Sequence, residues 1–147
     1  MTVHFVNYLE DLLVGQTASY TKTFTELDLT AFADATHDNN PVHFDEEFAE
    51  TTPFGGRVVH GMLTASLIST VLAKSLPGPG CIYMTQNLRF CSPVRIGEPV
   101  TATVTVRSID QPKNRILTDT VCKVGDRLVV EGTALFMAER RPPLGGV

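Results

Sequence analysis

Apolar and polar positions alternate in SYTKTFT, residues 19 to 25, a stretch rich in Thr and aromatics that predicts a strand. The period then changes. In TELDLTAFADATHD the apolar Leu29, Phe32 and Ala33 recur at helical spacing, so an amphipathic helix is expected to end near Thr36. Thr25 stands where an N-cap belongs, and Asp28 can reach back to complete a capping-box variant. A short helix is expected in FDEEFAETT, capped by Asp45, with acidic residues in its first turn that suit the helix dipole. PFGGRVV is a loop by its Pro and Gly content.

HGMLTASLISTVLAKSL follows, apolar for four turns until Pro77 and Gly78 stop it. Met62, Leu63, Ala65, Leu67, Ile68, Val71 and Leu72 cover most of the circumference, and Thr64, Ser66 and Ser69 interrupt them. A helix apolar nearly all round is expected to be buried on nearly all sides, which calls for a sheet wrapped around it. The last third of the chain supplies one. CIYMTQNLRF, PVTATVTVRSI, RILTDTVCKV and RLVVEGTALFMAE are strand-like by alternation and β-branched content, and VGD makes a hairpin turn between the last two. The order predicts an α+β fold, one antiparallel sheet curled around a central helix. Strands this long leave an edge that a second subunit would cover, so a homodimer is expected. The tail RRPPLGGV is expected to be unstructured or loosely packed.

Composition narrows the functional classes. A chain of 147 residues, 43% hydrophobic, is long enough to bury a core as one soluble domain. A net charge of −4 offers no basic stripe for nucleic acid. No apolar run approaches the ~20 residues that span a bilayer, so no membrane association is expected. MTVHFVNYLEDLLVGQ carries acidic residues and no basic start, unlike a signal peptide. Cys81, Cys91 and Cys122 are odd in number and form no C-x-x-C pair, which reads as reduced, buried or half-buried thiols in a cytoplasmic protein. The histidines at 4, 37, 43 and 60 show no ligand spacing with them, so no metal is expected.

The candidate chemistry begins in HDNNPVHFD, residues 37 to 45. Asp38 and His43 would face different ways on one unbroken helix. Pro41 prevents that helix, because it lacks an N–H and biases Asn40 away from the helical region. The chain must turn there, and the turn can bring carboxylate and imidazole to one place. The negative end of the preceding helix dipole disfavours charge on Asp38, and His43 suits proton transfer near neutral pH. A capped turn with an ordinary half-buried His is the alternative. In VVHGML, His60 and Gly61 open the long helix, whose first-turn N–H groups lack intrahelical partners. Such a donor could stabilise an oxyanion by ~3 kcal/mol. Gly61 could equally relieve crowding between helix and sheet. Ser66 and Ser69 could bond back to carbonyls one turn earlier. No G-x-S-x-G elbow and no Gly-rich phosphate loop is present.

DNNPVHFD fits the D-x-N-P-x-H pattern of the hydratase 2 motif, and VVHGMLTASLIS follows at the expected distance. The sequence therefore resembles the MaoC-like, hot-dog-fold group, above all the short (R)-specific enoyl-CoA hydratases. The resemblance covers roughly residues 15 to 138 and implies one hot-dog domain over 1–147, with 139–147 as a tail. It implies reversible addition of water to a trans-2-enoyl-CoA, giving an (R)-3-hydroxyacyl-CoA, with no cofactor. By position, Asp38 and His43 match the catalytic pair, and Gly61 matches the backbone donor to the thioester carbonyl. Asn40 matches the residue that shapes the turn, and Ser69 the serine near the catalytic Asp; His60 joins these two as an orienting residue, and His37 has no role. Three alternatives keep the fold: an acyl-carrier-protein dehydratase, an acyl-CoA thioesterase, and a non-catalytic acyl-thioester-binding subunit. Supply of polyhydroxyalkanoate monomers is one pathway that would fit. Leu67, Val71 and Met84 are candidates to set the depth of an acyl pocket.

Overall fold

The computed structural model describes residues 2–145. Strand β1 (Thr17–Thr23) leads into helices α1 (Glu26–Thr36), α2 (Glu46–Glu50) and α3 (Gly61–Lys74). Strands β2 (Ile82–Phe90), β3 (Pro99–Asp110), β4 (Arg115–Val124) and β5 (Arg127–Met137) complete the chain. All five strands join one antiparallel sheet in the order β1-β3-β4-β5-β2. The edges are therefore β1 and β2, which are distant from each other in the sheet.

Local chemistry explains the element boundaries. Thr25 caps α1 and Asp28 returns a bond to the Thr25 amide at 2.8 Å, a reciprocal box that satisfies two unpaired donors. β1 starts and ends two residues earlier than the alternation suggests, because Phe24 turns into the core and Thr25 is the cap. Asp45 caps α2 by accepting from the Phe48 amide at 3.0 Å. In β3 the period of two is strict: Val100, Ala102, Val104 and Val106 are buried, whereas Thr101, Thr103 and Thr105 face outward. The outward hydroxyls of Thr101 and Thr103 meet those of Thr21 and Ser19 across the strand pair, at 2.7 and 2.8 Å.

Helix α3 lies on the inner face, where Leu67, Ile68, Val71 and Leu72 join β3, β4 and β5 side chains in one cluster. Burying each of these side chains contributes about 1.5–3 kcal/mol. The wrapping is incomplete, contrary to the expectation of a helix buried nearly all round. Met62, Ser66, Ser69 and Ala73 are exposed and form a stripe along one side. A single five-stranded sheet cannot reach that side.

Three other expectations need correction. The core begins at Leu9 and Leu12, both buried, rather than near residue 15; a 3-10 turn (Leu9–Asp11) delivers them and the Leu9 amide bonds Glu139 O at 2.7 Å. Cys91 is exposed, not buried or half-buried, because it follows the end of edge strand β2; Cys81 is partly and Cys122 fully buried. Leu67 and Val71 point into the core, and neither they nor Met84 line either cavity described below. The tail has no regular structure through residue 145, yet the Arg141 amide is held by Glu10 at 2.9 Å and the Arg140 guanidinium by Gln111 O at 2.7 Å. Residues 146 and 147 of that tail lie outside the described residues. Among the described residues, no helix is long and apolar enough to cross a membrane.

Gly132 sits in β5 between its neighbours β4 and β2, opposite Thr120 and Leu88. A Cβ there would be driven into the backbone carbonyl of Asn87. Gly132→Ala is therefore expected to push β2 off the sheet and cost at least about 1–3 kcal/mol. Urea denaturation reads the loss as a lowered midpoint.

Candidate active site

Helix α1 closes with His37 in the left-handed conformation, φ 62°, its amide bonded to Ala33 O at 2.7 Å. Asp38 follows, and its carboxylate accepts the Asn40 amide at 3.4 Å. Asn40 then caps a 3-10 turn, Pro41–His43, by accepting from the Val42 amide at 3.3 Å. Pro41 takes the first position of that turn, where its missing N–H costs nothing. The reversal brings the Asp38 carboxylate and the rings of His43 and His60 together, with one candidate ligand atom from each lying within 4.8 Å of the others.

An extended strip, residues 57–60, runs beside this turn and holds it at several points. Arg57 Nε donates to the His43 carbonyl at 2.8 Å. The Val58 amide donates to Val42 O at 3.2 Å, and Val58 O receives His43 Nδ1 at 2.8 Å. His60 Nε2 donates to Asp38 O at 3.1 Å, and its ring stacks on that of His43 with centroids 3.7 Å apart. A carbonyl can only accept, so Nδ1 of His43 carries a proton and Nε2 of the neutral ring is left as an acceptor. By the same argument neutral His60 is protonated on Nε2; its Nδ1 is buried and has no hydrogen-bond partner among the described residues. Phe32 packs against the His60 ring at 4.8 Å, and Phe44 at 5.8 Å.

Two cavities approach this pair from different sides. One, of about 500 Å³, is lined by Asn40, His43, Gly61, Thr64 and Phe90 among others. The second, of about 690 Å³, lies along the open stripe of α3 and takes Asp38, Ser66, Ser69, Tyr83 and Gln86 into its wall. Thus His43 and Gly61 share one cavity, and Asp38 and Ser69 the other. Gly61 is the first residue of α3, with His60 as N-cap, so its amide has no intrahelical acceptor. Gly61 lines this cavity, and a Cβ on it would lie 2.9 Å from the Phe90 ring, so crowding alone favours glycine there. Ser66 bonds back to Leu63 O at 2.5 Å.

Such an arrangement can move protons. It offers a carboxylate, an imidazole acceptor and a free helix-start amide around apolar space. It is poorly shaped for a cation, because two stacked rings at 29° send their in-plane lone pairs side by side rather than to one point.

The MaoC-like domain pattern matches residues 14–127. The chain belongs to the MaoC-like domain family. It is 47% identical to an (R)-specific enoyl-CoA hydratase of Rhodospirillum rubrum, over 92% of this chain and 94% of that protein. The unliganded R-hydratase PhaJ1 from Pseudomonas aeruginosa superimposes with a TM-score of 0.86 at 40% identity, covering 97% of this chain and 94% of its own. The (R)-hydratase from Aeromonas caviae involved in PHA biosynthesis gives 0.84 at 42% identity, covering 88% and 98%. The fold is accordingly the hot-dog fold of MaoC-like hydratases.

Within this MaoC-like site, sequence reasoning overlooked Thr64, Phe90 and Arg57. Thr64 is 1% exposed, lines the His43 cavity, and its hydroxyl has no partner among the described residues. The one available signal was a polar residue one turn after Gly61 on an apolar helix. Phe90 gave no signal, because its contact with Gly61 depends on strand placement.

Burial pulls the His60 pKa below its ordinary 6.5, and the neighbouring His43 adds to this. The unfolded chain therefore binds a proton that the folded chain refuses. Stability from this source is complete above pH 6.5 and falls as pH drops toward the folded value. Melting temperatures of wild type and His60→Phe, measured from pH 7.5 to 5.5, are expected to show the wild type losing ground below about pH 6.5.

Proposed function

We propose that this chain is an (R)-specific enoyl-CoA hydratase that uses Asp38 and His43 as its acid–base pair. It adds water reversibly and syn across a trans-2-enoyl-CoA to give an (R)-3-hydroxyacyl-CoA. The observation that carries the reading is the convergence of Asp38 and His43 beside the free Gly61 amide at the start of α3. The names of the relatives support the same chemistry.

Hydration needs a polarised thioester, because the β-carbon is a weak electrophile until charge can move to the carbonyl oxygen. The Gly61 N–H, at the positive end of α3, receives that charge. Water gives a proton to the pair as its oxygen bonds the β-carbon. The pair returns a proton to the α-carbon on the same face, and both groups end as they began. Asn40 orients the turn, His60 the two groups, and Ser69 borders Asp38 in its cavity.

Assembly and setting belong to the same proposal. Edge strand β2 exposes Ile82, Tyr83, Met84 and Phe90, and the open stripe of α3 lies beside it. An unpaired strand edge with apolar side chains favours pairing with a second copy, so a homodimer is proposed. A cytoplasmic protein fits the free thiols, and supply of monomers for polyhydroxyalkanoate fits the role named for the Aeromonas caviae hydratase. The particle mass from light scattering is expected to be twice that of the chain.

The decisive assay follows loss of enoyl-thioester absorbance with crotonyl-CoA and the chirality of the product. An (R)-3-hydroxy product without free thiol is expected; free thiol would replace the reading with a thioesterase. Turnover confined to carrier-protein thioesters would replace it with the acyl-carrier-protein dehydratase. Asp38→Asn and His43→Ala are each expected to lower kcat by about 10²–10⁴-fold with circular dichroism unchanged. Gly61→Ala, which must displace Phe90, is expected to lower kcat by about 10²-fold or more.

A further inference from the structure

We infer that Arg57 is a positioning residue of the hydration reaction, acting through the His43 backbone; this rests on the hydratase reading above. One guanidinium makes three directed bonds. Nε donates to the His43 carbonyl at 2.8 Å, while Nη1 and Nη2 grip both Glu26 oxygens at 2.9 and 2.7 Å. Glu26 is the first residue of α1, the helix that ends beside Asp38. Arg57 thus ties the backbone of one catalytic group to the helix that delivers the other.

Its own backbone is fixed as well. The Arg57 amide donates to Glu46 Oε2 at 3.3 Å, and its carbonyl accepts from Arg95 Nη1 at 3.1 Å. The stem cannot follow the head if the head is released. Arg57 lines neither of the two cavities that reach Asp38 and His43, so it acts on the reacting atoms only through the groups it holds. Lysine cannot substitute, since a single ammonium has no planar fork that serves a carboxylate and a separate carbonyl at fixed angles. The partly exposed ion pair with Glu26 is worth little by itself. Its use is to aim Nε.

The test compares wild type, Arg57→Lys and the exchanged pair Glu26→Arg/Arg57→Glu. Crotonyl-CoA kinetics are read beside the His43 Nδ1–H resonance of ¹⁵N-histidine-labelled protein, which needs no substrate. Arg57→Lys is expected to lower kcat about tenfold or more, with KM within about twofold, and to broaden that resonance. The exchanged pair restores opposite charges but offers no donor to the carbonyl; it is expected to regain melting temperature and not kcat. Wild-type kcat with an unchanged resonance in Arg57→Lys would overturn the inference. Recovery of kcat in the exchanged pair would do the same, leaving Arg57 only an ion-pair role. A wild type without hydratase activity would sink the proposed function, and the resonance comparison would still decide whether Arg57 positions His43.

Discussion

The hydrogen bond from His43 Nδ1 to the Val58 carbonyl, 2.8 Å long and buried, is the contact on which the candidate site depends. It decides the tautomer, because the carbonyl can only accept, and so it decides which nitrogen is free to take a proton. It also decides the direction of the ring. Its partner is well anchored. The Val59 amide bonds Val94 O at 2.8 Å in the segment joining β2 and β3, so the strip 57–60 inherits its position from the sheet. The same strip bonds the Asp38 and His43 carbonyls. Sheet, strip and turn form one chain of dependence, and the candidate pair Asp38 and His43 stands at its end.

Helix α3 serves two demands that pull in opposite directions. Its inner side must pack tightly, and Ile68 and Val71 are fully buried there. Its other side must leave a cavity for Asp38 to face. The chain meets both by placing small residues, Ala65, Ser66 and Ser69, where the second cavity runs. Larger apolar side chains at these positions would fill it. The open stripe is thus a consequence of keeping space along a helix that is otherwise a core element. It leaves the edge strand β2 beside it uncovered, which connects the shape of the cavity to the proposed pairing with a second copy.

Local signals were legible wherever a few neighbouring residues determine the outcome. The box of Thr25 and Asp28, the Asp45 cap, the turn enforced by Asn40 and Pro41 and the alternation of β3 all act over short spans, and the backbone follows them. Strand order depends on contacts far apart in sequence, so nothing local marks β2 as the edge. Cys91 shows the consequence: a small apolar-looking residue at a strand end reads as buried, and only the strand's place in the sheet exposes it. Leu9 and Leu12 were hidden for the same reason, being few and separated from the core they join. Asp38 and His43 could be named from the turn between them, and Gly61 from its place at the start of α3. That they divide between two cavities could not, since it follows from where α3 meets β2.

Two imidazoles stacked at 3.7 Å would be a poor arrangement if both carried charge. At an effective dielectric constant near 20, like charges at this separation repel by about 4 kcal/mol. Burial resolves the conflict by disfavouring the charged form of His60, whose free nitrogen has no partner among the described residues and whose other nitrogen is committed to the Asp38 carbonyl. Nδ1 of His43 is committed to Val58 O, which leaves Nε2 as the acceptor on the ring that lines a cavity. His60 is bonded to the Asp38 backbone and stacked on the His43 ring, and an aliphatic side chain in its place would give up both contacts.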